Sequence, residues 1–141
     1  MDEAQPTLST VRRYLLSTLI VGIVGMGIEL LLLGHVDGLA QIAPVALLGV
    51  GLLVAGWHAA SPGAATVPLF KATMGLFVLS GAIGIGLHYS GNVEFEREMY
   101  PSLSGIELVG KTLTGATPVL APGTMALLGL IGLLAVYQSR R

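Results

Sequence analysis

Residues 14–34 read YLLSTLIVGIVGMGIELLLLG, with Glu29 the one charged side chain in the stretch. A helix rises about 1.5 Å per residue, and about 20 apolar residues cross a hydrocarbon layer of about 30 Å. This run has that length. Inside lipid the backbone must satisfy its own hydrogen bonds, so the run reads as a helix. Its glycines do not argue against this, because glycine is common in membrane helices. The run is longer than the apolar core of a signal peptide and lacks a small-x-small cleavage site, so it reads as a retained helix.

Three further runs follow, at 42–60, 67–89 and 119–137, the third with Lys71 near its start. Breakers separate them: Gly34, Asp37 and Gly38 after the first, and Ser61, Pro62, Gly63 and Pro68 after the second. The expectation is all-α: an integral membrane four-helix bundle forming one transmembrane domain over residues 1–141. Composition agrees, with 53% hydrophobic and 11% charged residues against about 25% charged in a soluble domain. So little charge cannot coat a surface that faces water, and the lipid bilayer is the expected partner. A formal net charge of -1 gives no basic field for nucleic acid. The absence of cysteine excludes disulfides, thiolate metal sites and cysteine nucleophiles.

Arg12, Arg13, Arg140 and Arg141 flank the ends of the chain. With four crossings both ends share a side with the second loop and Lys71, leaving Arg97 and Lys111 opposite. The positive-inside rule then gives an N-in/C-in, multi-pass protein of the plasma (inner) membrane, both termini cytoplasmic and residues 1–10 a polar tail. The outer loop, residues 90–118, is too long to be without structure in a compact domain. Ser104 and Glu107 fit a capping box. Ile106, Val109 and Leu113 share one face after it, and Glu107 and Lys111 form an i,i+4 pair. This predicts a short amphipathic helix between the third and fourth spans, at the membrane surface or solvated.

Two segments look alike: Gly22, Gly25 and Gly27 in the first run, and Gly81, Gly84 and Gly86 in the third, both GxxGxG. Ala-Leu-Leu-Gly recurs at 46–49 and 126–129, each after an Ala-Pro pair. A parallel duplication of helical hairpins would produce this, and so would chance among the residues that dominate membrane helices. The alignment pairs Glu29 with His88 at one membrane depth. Glu29 stands six residues before His35, about 9 Å inside the expected helix end. An ionisable group there is costly unless paired or wet. Thr18, Gly22 and Gly25 lie on its stripe, a small-residue surface suited to helix contact, so Glu29 is expected to face the third helix near His88. Two readings stay open: a proton or cation site, and an interhelical clamp bonded to His88 or to a backbone carbonyl.

His35, Asp37 and Gln41 surround the first outer turn. With His88 and Glu94 they form a candidate outer-face cluster, able in principle to hold a metal or, through His35 and His88, a haem. Their spacing specifies neither, and no cofactor is expected. His58 and Trp57 end the second run as interfacial anchors, as Tyr14 and Tyr137 do. No G-x-S-x-G elbow and no Walker loop is present, so nothing points to an enzyme.

The string His88-Tyr89-Ser90-Gly91-Asn92-Val93-Glu94-Phe95-Glu96, with Met99 to Leu103 and Gly115 to Gly123, resembles uncharacterised small bacterial membrane proteins of four helices. The resemblance spans most of the chain and implies a bacterial plasma membrane. It implies no activity and no site residues. Three functions fit the sequence: a structural or accessory subunit, associating with a membrane-protein partner or as a homo-oligomer; a small oligomeric transporter of ions, protons or a solute using Glu29 and His88; and a metal- or haem-binding protein using His35 and His88.

Overall fold

The computed structural model describes residues 4–137; Arg140 and Arg141, which contributed to the orientation argument, lie outside the described residues. Five helices account for most of these residues: α1 (Ala4–Leu32), α2 (Leu39–Ala60), α3 (Thr66–Met99), α4 (Gly105–Leu113) and α5 (Gly123–Ala135), with no strand among the described residues. Three of them, α1, α2 and α3, are long and apolar enough to cross a membrane.

The helix bounds depart from the apolar runs for local reasons. From Ala4 onward the polar N-terminal segment is helical. Pro6 sits in the first turn, where its missing N–H costs nothing, and the hydroxyls of Ser9 and Thr10 donate to its carbonyl at 2.8 and 3.0 Å. At the other end, α1 stops at Leu32 because Gly34 adopts φ 63°. Its N–H donates to Leu31 and that of His35 to Leu30, at 3.1 and 2.9 Å, the paired bonds that close a helix on a left-handed glycine.

α3 runs ten residues past the expected end at 89. Glu94, Glu96, Arg97, Glu98 and Met99 are good helix formers despite their charge, and the helix ends where Pro101 forces Tyr100 out of helical geometry. The loop expected at 90–118 is shortened by the same amount. α5 begins later than the fourth run. Pro118 and Pro122 supply no N–H, and residues 118–122 form tight turns, with Ala121 bonded to Pro118 and Gly123 to Leu120. The remaining helix has 13 residues, about 20 Å.

α1 packs against α2 and α5. α3 packs against α2, α5 and α4, and no backbone contact joins α1 to α3. The core is apolar: Leu19 and Ile23 from α1, Leu48, Val54 and Ala55 from α2, Phe70, Met74 and Phe77 from α3, Met125 and Leu128 from α5, and Val136 just beyond it. The tightest approach is between α3 and α5. A methyl placed on Gly81 would stand 2.6 Å from the Ala126 nitrogen and 2.9 Å from the Pro122 oxygen; one placed on Gly129 would stand 2.6 Å from the Met74 oxygen. Only hydrogen fits at either position, which brings the two backbones together. The proposed repeat does not extend to packing: Gly49, the counterpart of Gly129, has nothing within 4 Å of such a methyl. Large apolar side chains such as Val21, Leu53, Leu79, Ile83 and Leu130 cover the outside.

Candidate functional site

Glu29 is exposed. The buried stripe of α1 consists of Leu19 and Ile23, continued by the half-buried Met26 and Leu30. Residues adjacent in a helix point about 100° apart, and filling the core with Leu30 turns Glu29 outward. The expected small-residue stripe of Thr18, Gly22 and Gly25 is thus displaced by larger aliphatics, although Gly22 still receives the Leu128 side chain. Because no backbone contact joins α1 to α3 and Glu29 is exposed, Glu29 and His88 are not brought together. The helix end at Leu32 also leaves Glu29 three residues, about 4.5 Å, from the terminus.

The polar groups that do converge lie on the projecting end of α3. His88 Nδ1 is 3.1 Å from the Pro118 carbonyl oxygen; a carbonyl only accepts, so this nitrogen donates. One turn on, Asn92 is 2% exposed. Its Nδ2 donates to the carbonyls of Thr112 at 2.9 Å and Thr117 at 2.7 Å. Its Oδ1 accepts from the Thr117 backbone N–H at 3.1 Å and from the Thr117 hydroxyl at 2.8 Å. Both donors and the acceptor are fully used. Gly115 passes over this amide so closely that a methyl on it would lie 2.9 Å from Asn92 Cγ. His88 and Asn92 therefore fasten residues 112–118 to α3 and set where α5 begins. Glu96, on the following turn, is buried at 7% exposure, whereas Glu94 and Glu98 face outward.

α4 lies on α3 through Leu108 and Thr112, and leaves Ile106, Val109 and Leu113 exposed. Ser104 has the extended N-cap geometry but makes no side-chain capping bond, and Lys111 lies over the Tyr100 ring, 5.3 Å from its centroid. In the turn after α1, the Gln41 Oε1 accepts the Asp37 backbone N–H at 3.0 Å and opens α2. Among the described residues no three His, Asp or Glu side chains are placed to hold a metal ion together. The expected cluster of His35, Asp37, Gln41, His88 and Glu94 is dispersed into separate turn and helix contacts.

No protein-family model, curated protein or solved structure matches the chain.

At the opposite end the N-terminal turns of α1 meet the C-terminal end of α5: Arg12 Nη2 donates to the Tyr137 carbonyl at 2.6 Å. There His58 closes α2 and stacks obliquely on Phe70, ring centroids 4.9 Å apart. Its Nδ1 is 3.0 Å from the hydroxyl of Thr66, which also accepts the Gly63 N–H at 3.1 Å. The same hydroxyl has the carbonyls of Ser61 and Gly63 within reach, at 3.3 and 3.2 Å. This knot fixes the turn between α2 and α3. Beside it a cavity of about 1300 Å³ opens to the surface, with walls from α1, α2, the following turn, α3 and Ala135 of α5. Sequence reasoning grouped Arg12, Arg13 and Lys71 on one side but found neither this cavity nor Asn92. The loop assignment at 90–118 hid Asn92, which continues the His88 stripe at i+4 once α3 is seen to run on.

Proposed function

We propose that the chain is a structural or accessory subunit of a bacterial plasma membrane, a bundle spanning it four times with both termini in the cytoplasm. One observation carries the reading: an apolar exterior encloses polar side chains that serve to fasten the chain to itself. Asn92 and His88 hold the outer segment, Thr66 and His58 hold the inner turn, and among the described residues no three His, Asp or Glu side chains are gathered at one place. Apolar exteriors of this kind suit lipid on one side and a membrane-protein partner on another. The turns at 118–122, five residues at about 2 Å each, add to the 13 residues of α5 to give a fourth segment of about 30 Å, close to a hydrocarbon thickness. The exposed Ile106, Val109 and Leu113 stripe suits α4 to the outer interface.

A transport path through Glu29 and His88 has no support in a packing that separates them, and a metal or haem at His35 and His88 has none either. Purification from native membranes in mild detergent tests the proposal. A larger membrane protein, or further copies of this chain, is expected in fixed stoichiometry, and Glu29→Gln is expected to leave ion flux in proteoliposomes unchanged. A monomer that conducts protons and loses that flux in Glu29→Gln would replace the accessory role with transport.

A further inference from the structure

We infer that the cavity at the end where α1 and α5 meet binds a phosphate-bearing anion, and that its natural occupant is the headgroup of an anionic phospholipid. Five basic residues lie among those described, and three of them, Arg12, Arg13 and Lys71, line this one space; Asp and Glu are missing from its described lining. Convergence of like charges is unfavourable unless a counter-charge enters between them. Arg12 adds a second observation. Its Nη2 is anchored on the Tyr137 carbonyl at 2.6 Å, while its Nε is buried without a partner. That Nε has no surface open to a ligand, so Arg12 contributes as a planar guanidinium held in place at the cavity wall by its Tyr137 bond. Phosphate and carboxylate match that planar fork, phosphate with more oxygens to share among several cations.

The start of α3 brings no acid into this space. Ala64, Val67 and Pro68 line the cavity, and the first turn of α3 carries no acidic residue and no side-chain cap. The N–H groups of Thr66 and Val67 are both taken by the Gly63 carbonyl, at 3.2 and 3.1 Å, and Pro68 has none, so the field in this space is that of the three cations.

The rest of the lining selects the lipid. Leu16, Val67, Pro68 and Ala135 make an apolar wall beside the three cations. A free phosphate would leave that wall wet, whereas a glycerolipid covers it with its backbone and first acyl carbons while the cations hold its phosphate. Basic pockets between membrane helices on the cytoplasmic side take anionic headgroups in this way. The lipid assignment rests on the membrane reading; the phosphate chemistry does not.

Native mass spectrometry of the full chain released from detergent tests the inference, with phosphatidylglycerol, phosphatidylcholine and inorganic phosphate as probes. Phosphatidylglycerol is expected to bind at least about tenfold more tightly than phosphatidylcholine, and Lys71→Gln and Arg13→Gln to weaken it about fivefold each. Both residues are exposed, so neither change threatens folding, and Arg97→Gln at the other end is expected to leave binding as it was. Equal affinity for the two lipids, or equal losses in Lys71→Gln and Arg97→Gln, would overturn the site. Inorganic phosphate that binds in a Lys71-dependent way, without any preference between the lipids, would keep the phosphate chemistry and overturn the lipid source. Failure of the accessory-subunit reading is seen separately, as the lack of a stoichiometric partner, and failure of the membrane reading as a chain that stays dispersed without detergent.

Discussion

Asn92 is the side chain on which the α4 end of the molecule turns. Its four hydrogen bonds hold a carbonyl at each end of the segment from Thr112 to Thr117. Removing a buried partner leaves each orphaned group to bear its desolvation cost, about 1–3 kcal/mol. Asn92→Ala is therefore expected to destabilise the protein by about 3 kcal/mol, read as a lower unfolding midpoint in detergent, and to make residues 112–118 sensitive to protease. Wild-type stability and protease resistance in that variant would mean that the segment is held elsewhere. The sequence drew attention to Glu29 instead, because a charge in an apolar run is conspicuous. Charge alone does not set the rotation of a helix. The core selects the face that buries most carbon, here Leu19 and Ile23, and an acid one residue from Leu30 is carried outward. Asn92 was illegible for the opposite reason: its surroundings of glutamates looked like solvent.

Among the elements, α3 and α5 depend on each other most closely, and their contact is set by hydrogen atoms. Gly81→Ala would press a methyl to 2.6 Å from the Ala126 nitrogen. Because that neighbour is backbone, the two helices must separate, at a cost of about 1–3 kcal/mol. Gly86→Ala, on the same helix with nothing within 4 Å, is expected to be neutral or to stabilise by up to about 1 kcal/mol through helix propensity. Thermal unfolding of the two variants side by side decides the matter; equal effects would mean that the seam is looser than described. Hydropathy made the existence of the helices legible, since long apolar runs admit few alternatives in lipid. Their ends were less legible. Prolines 118 and 122 shorten α5 through missing N–H groups, and helix-forming glutamates lengthen α3, while composition alone placed both boundaries at the edge of the apolar run.

At the scale of the whole molecule, the described ends meet at the Arg12–Tyr137 bond, which fixes one pole, and the projecting end of α3 fixes the other. The absence of native cysteine makes sidedness measurable with single introduced thiols. Ser9→Cys and Ser61→Cys are expected to resist a membrane-impermeant maleimide in intact cells, and Asp37→Cys and Ser102→Cys to react. Labelling of Ser61→Cys and Ser102→Cys from the same side would contradict the four crossings. α3 has 34 residues and is about 51 Å long, so it exceeds a hydrocarbon layer by about 20 Å. On the proposed topology its last turns, with Asn92 and Glu96, stand clear of the lipid.

The contact order α1, α2, α3, α5 and back to α1 makes each helix a spatial neighbour of its successor, with α4 a spur on α3. Three of the seams are joined by peptide, and the remaining one by the hydrogen bond from Arg12 to Tyr137. The arrangement is thus a ring cut open at one joint. A circularly permuted gene that bridges that seam with a flexible linker and opens new ends at Pro62 keeps every interhelical surface intact.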